Sequence, residues 1–287
     1  MKVKSYAKIN ISLDVINKRE DGYHNLRMIM HSVELSDDIE ININGSKRIS
    51  VSTNLHYLPD NKKNHAYRAA ELFFEHTGIE NPGIHIDIFK RIPVSAGLAG
   101  GSSDAAAVLR ALDEMFSASL SLPELAKIGL LVGADVPYCI HGGTMLAEGV
   151  GEILTPLKKM PKAPIVLSKP PIGLSTPKVF SEISAEKIKL HPDTDGIIKA
   201  LDAGDLNGIC KRMFNVLEPA AQSVLSKSGN GNAVEELKEV FRNHNACGTL
   251  MSGSGPTVFG IFEDIKDAKC AYNAAKRITR DTFLTTT

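Results

Sequence analysis

Apolar and polar residues alternate from the start of this chain. Val3, Ser5, Ala7, Ile9, Ile11, Leu13 and Val15 fall on one side, and Lys4, Tyr6, Lys8, Asn10, Ser12 and Asp14 on the other. That period of two predicts a half-buried strand over 3–15. Further strand-like runs lie near 27–35, 39–43, 47–53 and 84–90. Residues 64–77 read as a helix stopped by Gly78, and 103–115, rich in Ala and Leu, as a second. Pro156, Pro161 and Pro164 then interrupt any regular element, and a domain boundary is placed there, separating 1–158 from 159–287. Beyond it the pattern predicts strands at 164–169, 247–251 and 256–262, and helices at 175–185, 195–203, 232–243 and 265–277. Helices and strands mix without the regular βα period of a barrel, which gives an α+β class in two domains. No internal repeat interrupts this picture.

Composition narrows the function. The 287 residues carry 33 Lys+Arg against 33 Asp+Glu, with no basic block, so the electrostatic footprint of a nucleic-acid or anionic-membrane binder is missing. No run approaches the ~18 apolar residues of a membrane span. Cys139, Cys210, Cys247 and Cys270 are scattered, which suggests free thiols in a reducing compartment, with neither a disulfide framework nor a zinc site. The opening residues turn polar too quickly for a secretory signal. These features lead to the expectation of a cytoplasmic enzyme with a small-molecule substrate.

The most informative segment is 93–107. A strand-like run (84–89) leads through Pro93 to Gly97-Leu98-Ala99-Gly100-Gly101-Ser102-Ser103 and then directly into a helix. Glycines permit close backbone approach, serines are placed to cap the helix, and a helix N-terminus attracts anions. The arrangement describes a phosphate cradle. The alternative is a tight connection with an ordinary cap. The loop matches neither the Walker-type pattern nor the dinucleotide fingerprint, and the protein-kinase signature set is absent.

Three separated segments resemble the three motifs of the GHMP small-molecule kinases: Ala7-Lys8-Ile9-Asn10, the loop 93–103, and Met251-Ser252-Gly253-Ser254-Gly255-Pro256-Thr257. Asp21-Gly22-Tyr23-His24 and Gly133-Ala134-Asp135-Val136-Pro137 narrow the resemblance to the branch acting on a cytidine diphosphate-linked polyol. The resemblance implies a two-domain GHMP-kinase fold. An N-terminal ribosomal-protein-like nucleotide domain would be joined to a C-terminal ferredoxin-like α/β sandwich. It also implies ATP-dependent phosphorylation of an alcohol, with Mg2+ delivered on ATP, no dedicated metal cage, and a monomer or weak homodimer.

Residue by residue, the resemblance makes Lys8 the catalytic-site cation and Asp135 the aspartate facing the acceptor hydroxyl. ATP and its phosphates fall to Asn64, Lys90, Pro93, Gly97, Leu98, Ala99, Gly100, Gly101, Ser102 and Ser103. Asn10 and Thr176 would contact the acceptor, Tyr23 and Phe180 would sandwich its cytosine, and His24 would hydrogen-bond the ring. Plainer roles stand beside these. Lys8 alone reads as a solvated strand lysine, Asn64 as a helix N-cap, Phe180 as core, Asp21-Gly22 as a hairpin turn, and Asp104 as a helix-dipole partner. The chain departs from the family pattern at Ser95, where Gly or Ala is usual, at Ala99, where Gly is common, and at His65, where Leu is typical. Competing readings are a GHMP kinase for a sugar, homoserine or mevalonate-type alcohol, a decarboxylase of the same superfamily, and a non-catalytic nucleotide-binding paralogue.

Overall fold

The computed structural model describes residues 1–287, the side chain of Lys187 excepted. The first elements are β1 (Lys2–Lys18), β2 (His24–Ile43), β3 (Ile49–Thr53), α1 (His65–Thr77), β4 (Ile84–Phe89) and α2 (Gly100–Phe116). Then come α3 (Leu122–Leu130), α4 (Val136–His141), β5 (Thr144–Gly149), β6 (Ile153–Pro156), β7 (Pro164–Ser168) and α5 (Thr176–Ser181). The remainder is α6 (Thr194–Ala203), α7 (Leu206–Cys210), β8 (Phe214–Asn215), α8 (Glu218–Lys227) and α9 (Ala233–Arg242), followed by β9 (Gly248–Met251), β10 (Val258–Ile261), α10 (Ile265–Ile278) and β11 (Thr282–Thr286).

Two compact units form from interleaved stretches. Unit one takes residues 1–7, 35–92 and 99–142, and unit two takes 8–34, 93–98 and 143–287, so β1 and β2 contribute to both. In unit one the distal half of β2 (Asp38 to Ile43) pairs antiparallel with β4, and β3 runs parallel to β4. Helix α1 packs on α2 and β3, with Phe73, Phe74 and Phe116 in ring contact. In unit two the proximal half of β2 (Leu26 to His31) pairs antiparallel with β5, β5 pairs with β6, and β1 pairs in parallel with β8 at Ser12 and Leu13. A second, antiparallel sheet has the order β11-β7-β10-β9. Helices α9 and α10 lie against it, as in a ferredoxin-like sandwich. Gly260 on β10 is closely packed, with Phe241 of α9 3.0 Å from where its Cβ would be.

Local chemistry explains most boundaries. Asn64 caps α1 by accepting from the Ala66 N–H at 2.9 Å, and Gly78 ends the helix with φ 68°. Helix α3 starts at a Ser121/Glu124 box, in which the Glu124 carboxylate accepts from the Ser121 N–H and hydroxyl. Two expectations are corrected. Strand β1 is not half-buried: residues 7–15 are buried on both sides, including Lys8, Asn10, Ser12 and Asp14. On its polar side Lys8 and Asn10 bond each other and Asp14 meets His191 at 2.8 Å, while the buried Ser12 hydroxyl has no hydrogen-bond partner among the described residues. Helix α2 begins at Gly100, so Ser102 and Ser103 do not cap it. The chain enters the helix through a left-handed Ala99 (φ 56°) with no side-chain cap, and the Ser103 hydroxyl donates to the Tyr6 carbonyl at 2.6 Å.

Candidate active site

In unit one the candidate residues gather around the start of α2. With no side-chain cap, the first N–H groups of this helix are left for an anion, and the helix dipole favours one there. Both leading glycines sit in close quarters. A Cβ on Gly100 would lie 3.0 Å from Ile92 and 3.3 Å from the Lys90 Nζ, and one on Gly101 would lie 3.1 Å from the His65 Nδ1. Ser102 lies on the first turn, its Oγ 3.8 Å from where a Cβ of Gly133 would sit. Two residues further on, the half-buried Asp135 precedes α4, and its carbonyl accepts from the Cys139 N–H. Asn64 stands at the head of α1 with its amide used twice, as cap acceptor and as donor to the Pro59 carbonyl. Burial lowers the His65 pKa, so its ring is neutral at neutral pH.

Lys90 lies beneath this turn, buried. Its ammonium donates to Asp37 at 2.5 Å and Asp104 at 2.6 Å. Asp37 also accepts the Arg91 and Ile92 N–H groups, and Asp104 accepts the Ser5 hydroxyl at 2.7 Å. Burial pushes the Asp104 carboxyl up to about 7, with Lys90 opposing the rise and Asp37 adding to it. For Lys90 burial pulls downward, but the attraction of Asp104 and Asp37 outweighs it and the amine is raised. Sequence reasoning missed Asp37 and Ser5 and took Asp104 for a helix-dipole partner. A signal was present in Ser5, a hydroxyl on the apolar side of β1, since a buried hydroxyl needs a partner.

In unit two, Lys8 is only 4% exposed and its Nζ donates to the Asn10 Oδ1 at 2.7 Å, while the Asn10 amide reaches the Met28 Sδ at 3.3 Å. The chain from Pro93 to Leu98 runs alongside, the Lys8 N–H donating to the Leu98 carbonyl. The third motif packs here as well. The Ser252 hydroxyl donates to the Gly97 carbonyl at 2.9 Å, and a Cβ on Gly253 would lie 3.3 Å from both the Lys8 Nζ and the Asn10 Oδ1. Asn215 holds this loop through the carbonyls of Met251 and Gly253, and Thr176 is tied to Ser254 at 2.8 Å.

The aromatic candidates of unit two are arranged unevenly. His24 stacks directly on Phe180, with ring centroids 5.3 Å apart and planes at 29°. Tyr23, by contrast, stands 65% exposed on a turn braced by the Arg19–Asp21 ion pair and by Asp21 accepting the Tyr23 N–H. The hairpin role of Asp21-Gly22 is therefore present, with φ 87° at Gly22, yet the Tyr23 ring is open to solvent. Burial, aided by Lys18, lowers the His24 pKa and keeps a neutral ring able to donate and accept.

Among the described residues no group of three or more His, Cys, Asp or Glu could hold a metal ion, and no helix is long and apolar enough to cross a membrane.

Comparison with known proteins identifies the family. The GHMP kinases N-terminal domain matches residues 64–143 and the GHMP kinases C-terminal domain matches 197–279. A curated 4-diphosphocytidyl-2-C-methyl-D-erythritol kinase from Caldicellulosiruptor saccharolyticus is 46% identical over all of this chain and 97% of its own length. One of the same name from Clostridium perfringens is 48% identical over 96% of this chain and 93% of its own. A crystal structure of 4-(cytidine 5'-diphospho)-2C-methyl-D-erythritol kinase superposes with TM-score 0.84 at 33% identity, covering 100% of this chain and 98% of that one. A homoserine kinase from Cytophaga hutchinsonii shares the fold, with TM-score 0.75 at 18% identity over 99% of this chain and 94% of its own. The chain belongs to the GHMP kinase family, in the branch of the 4-diphosphocytidyl-2-C-methyl-D-erythritol kinases.

Proposed function

We propose that this protein transfers the γ-phosphoryl group of ATP to the 2-hydroxyl of 4-diphosphocytidyl-2-C-methyl-D-erythritol, a step in isoprenoid precursor synthesis. The observation that carries the reading is a buried ammonium on β1, Lys8, fixed by Asn10 against the glycine loop at 253, in a chain 46% identical along its whole length to a curated kinase of that name. A phosphoryl group in transfer is an anion, and a cation held rigidly beside it stabilises the charge that develops there.

In this reading the uncapped start of α2, from Ala99 to Ser103, takes the polyphosphate, and Pro93, Gly97 and Leu98 shape the loop leading to it. Lys90 supports the phosphate-binding turn from beneath, and Asn64 holds the head of α1 beside the nucleotide. Lys8 offsets charge on the transferring group. Asp135 accepts the hydrogen bond of the acceptor hydroxyl and orients it; with a loose transition state a weak base suffices. Asn10 and Thr176 contact the acceptor, and Tyr23, His24 and Phe180 recognise its cytosine by stacking and hydrogen bonding. Magnesium enters as part of MgATP, where it offsets phosphate charge. The reaction belongs in the cytoplasm, and the protein acts as a monomer or weak homodimer.

The test is ADP release from ATP, magnesium and the cytidine-linked methylerythritol diphosphate, with Asp135→Asn alongside. The expected result is turnover by the wild type, loss of at least a hundredfold in the variant, and nucleotide affinity nearly unchanged. Near-wild-type turnover in Asp135→Asn would remove the role given to that residue.

A further inference from the structure

The start of α2 has no side-chain cap at its own end to fix its direction. Ala99 enters the helix in a left-handed conformation without a side-chain cap. What does fix the turn lies one turn deeper. Asp104 projects into a buried cluster where three other chain segments converge: Ser5 of β1, Asp37 of β2, and the stretch from Lys90 to Ile92 that follows β4. Lys90 is shared between the two carboxylates, and its Nζ lies 3.3 Å from the position of a Gly100 Cβ, directly behind the first helical residue.

We propose that Asp104, Lys90, Asp37 and Ser5 form a positioning strut that sets the first turn of α2 for the nucleotide phosphates without touching them. The inference rests on the phosphate-binding reading of that turn. Asp37 orders the chain entering the loop by accepting two consecutive N–H groups and hands that order to Asp104 through Lys90. Ser5 holds Asp104 from the other side. The balance of charge bears on the same function. With Asp104 protonated the cluster is neutral, and with Asp104 ionised it carries one net negative charge beneath a site for anions. Its raised carboxyl places that change near neutrality, the facing groups being Asp37 and Lys90, the Ser5 hydroxyl, and the neutral His65 ring on α1 against Gly101.

The experiment is calorimetric ATP binding in the absence of acceptor, followed by steady-state KM values for both substrates. Asp104→Ala is expected to raise the ATP Kd about tenfold while the acceptor KM stays within twofold. Asp104→Asn can keep both hydrogen bonds, its carbonyl oxygen toward Lys90 and its amide toward the Ser5 oxygen, and should restore the Kd to within threefold. Wild-type affinity should weaken above pH 7 relative to Asp104→Asn. A folded Asp104→Ala with wild-type ATP affinity would overturn the proposal, as would an equal loss for both substrates. Should Asp104→Ala fail to fold, Ser5→Ala and the pH profiles decide. Wild-type affinity in Ser5→Ala together with superimposable profiles for wild type and Asp104→Asn rejects the strut. Absence of turnover sinks the acceptor assignment and leaves the calorimetric test intact, whereas a wild-type protein that does not bind ATP sinks the nucleotide reading and the strut together.

Discussion

A single missing methyl group separates two kinds of glycine in this protein. Gly22 and Gly97 both adopt positive φ, 87° and 76°, where any L side chain is strained. Gly22 has open space around it, whereas a Cβ on Gly97 would collide with the Ser252 carbonyl. Gly22→Ala is therefore expected to cost about 1 kcal/mol of unfolding free energy, from backbone strain alone. Gly97→Ala should cost about 3 kcal/mol, strain plus forced repacking, and should weaken ATP binding because it pushes the 252–255 loop away from the 97–98 chain. Urea melts of both variants check the difference, and equal losses would show that the contact between the two loops carries nothing. The same conformational argument bears on two departures in the sequence: Ser95, where Gly or Ala is usual, and Ala99, where Gly is common, both sit at positive φ, 51° and 56°, and so carry strain that a glycine would avoid. The types of the site residues were legible because glycine, lysine and aspartate stand in motif spacing. The Asp37–Lys90–Asp104 contacts were not, since they join positions 53 and 14 residues apart that no local pattern links.

At the scale of elements, what could be read followed the strength of the local signal. The alternation in β1 gave the strand but not its full burial, because periodicity reports a difference between faces and not what covers the polar one. The runs at 27–35 and 39–43 proved to be one strand, β2, since the polar Ser36-Asp37-Asp38 stretch between them is extended, with the first two buried. Helix α2 starts earlier than its Ala-rich stretch because Gly100 and Gly101 are tolerated in a first turn that tertiary contacts hold. Helix α3 was overlooked although Ser121 and Glu124 form a capping box. Helix α1 was read with its correct end, and its cap makes a measurable claim. Asn64→Ala removes the acceptor for the Ala66 N–H and should lower stability by about 1 kcal/mol. If Asn64 also serves the nucleotide, the ATP KM rises as well. A variant with lowered melting temperature and unchanged ATP KM would assign it to capping alone.

For the molecule as a whole, acid stability should be governed in part by His31. This ring is buried between β2 and β5, hydrogen-bonded with Thr144, and burial depresses its pKa from 6.5 to about 4. Above pH 6.5 both folded and unfolded forms hold a neutral ring. Below it the unfolded chain takes up a proton that the folded protein refuses until about pH 4, so stability falls across that window, by about 3 kcal/mol. His31→Gln should flatten this part of the profile, as read from urea midpoints at pH 7.5 and 4.5. An unchanged slope would place the acid sensitivity elsewhere. The interleaving of the two units has a further consequence, for the order of events at the ribosome. The parallel partner of β1 at Ser12 and Leu13 is β8, at Phe214 and Asn215. At a synthesis rate of about 5–20 residues per second, roughly 10–40 s pass between the emergence of the two strands. Until then one flank of β1, with Lys8 and Asn10 on its polar face, waits unpaired on the nascent chain. A strand made about 200 residues before its parallel partner is among the last to be completed.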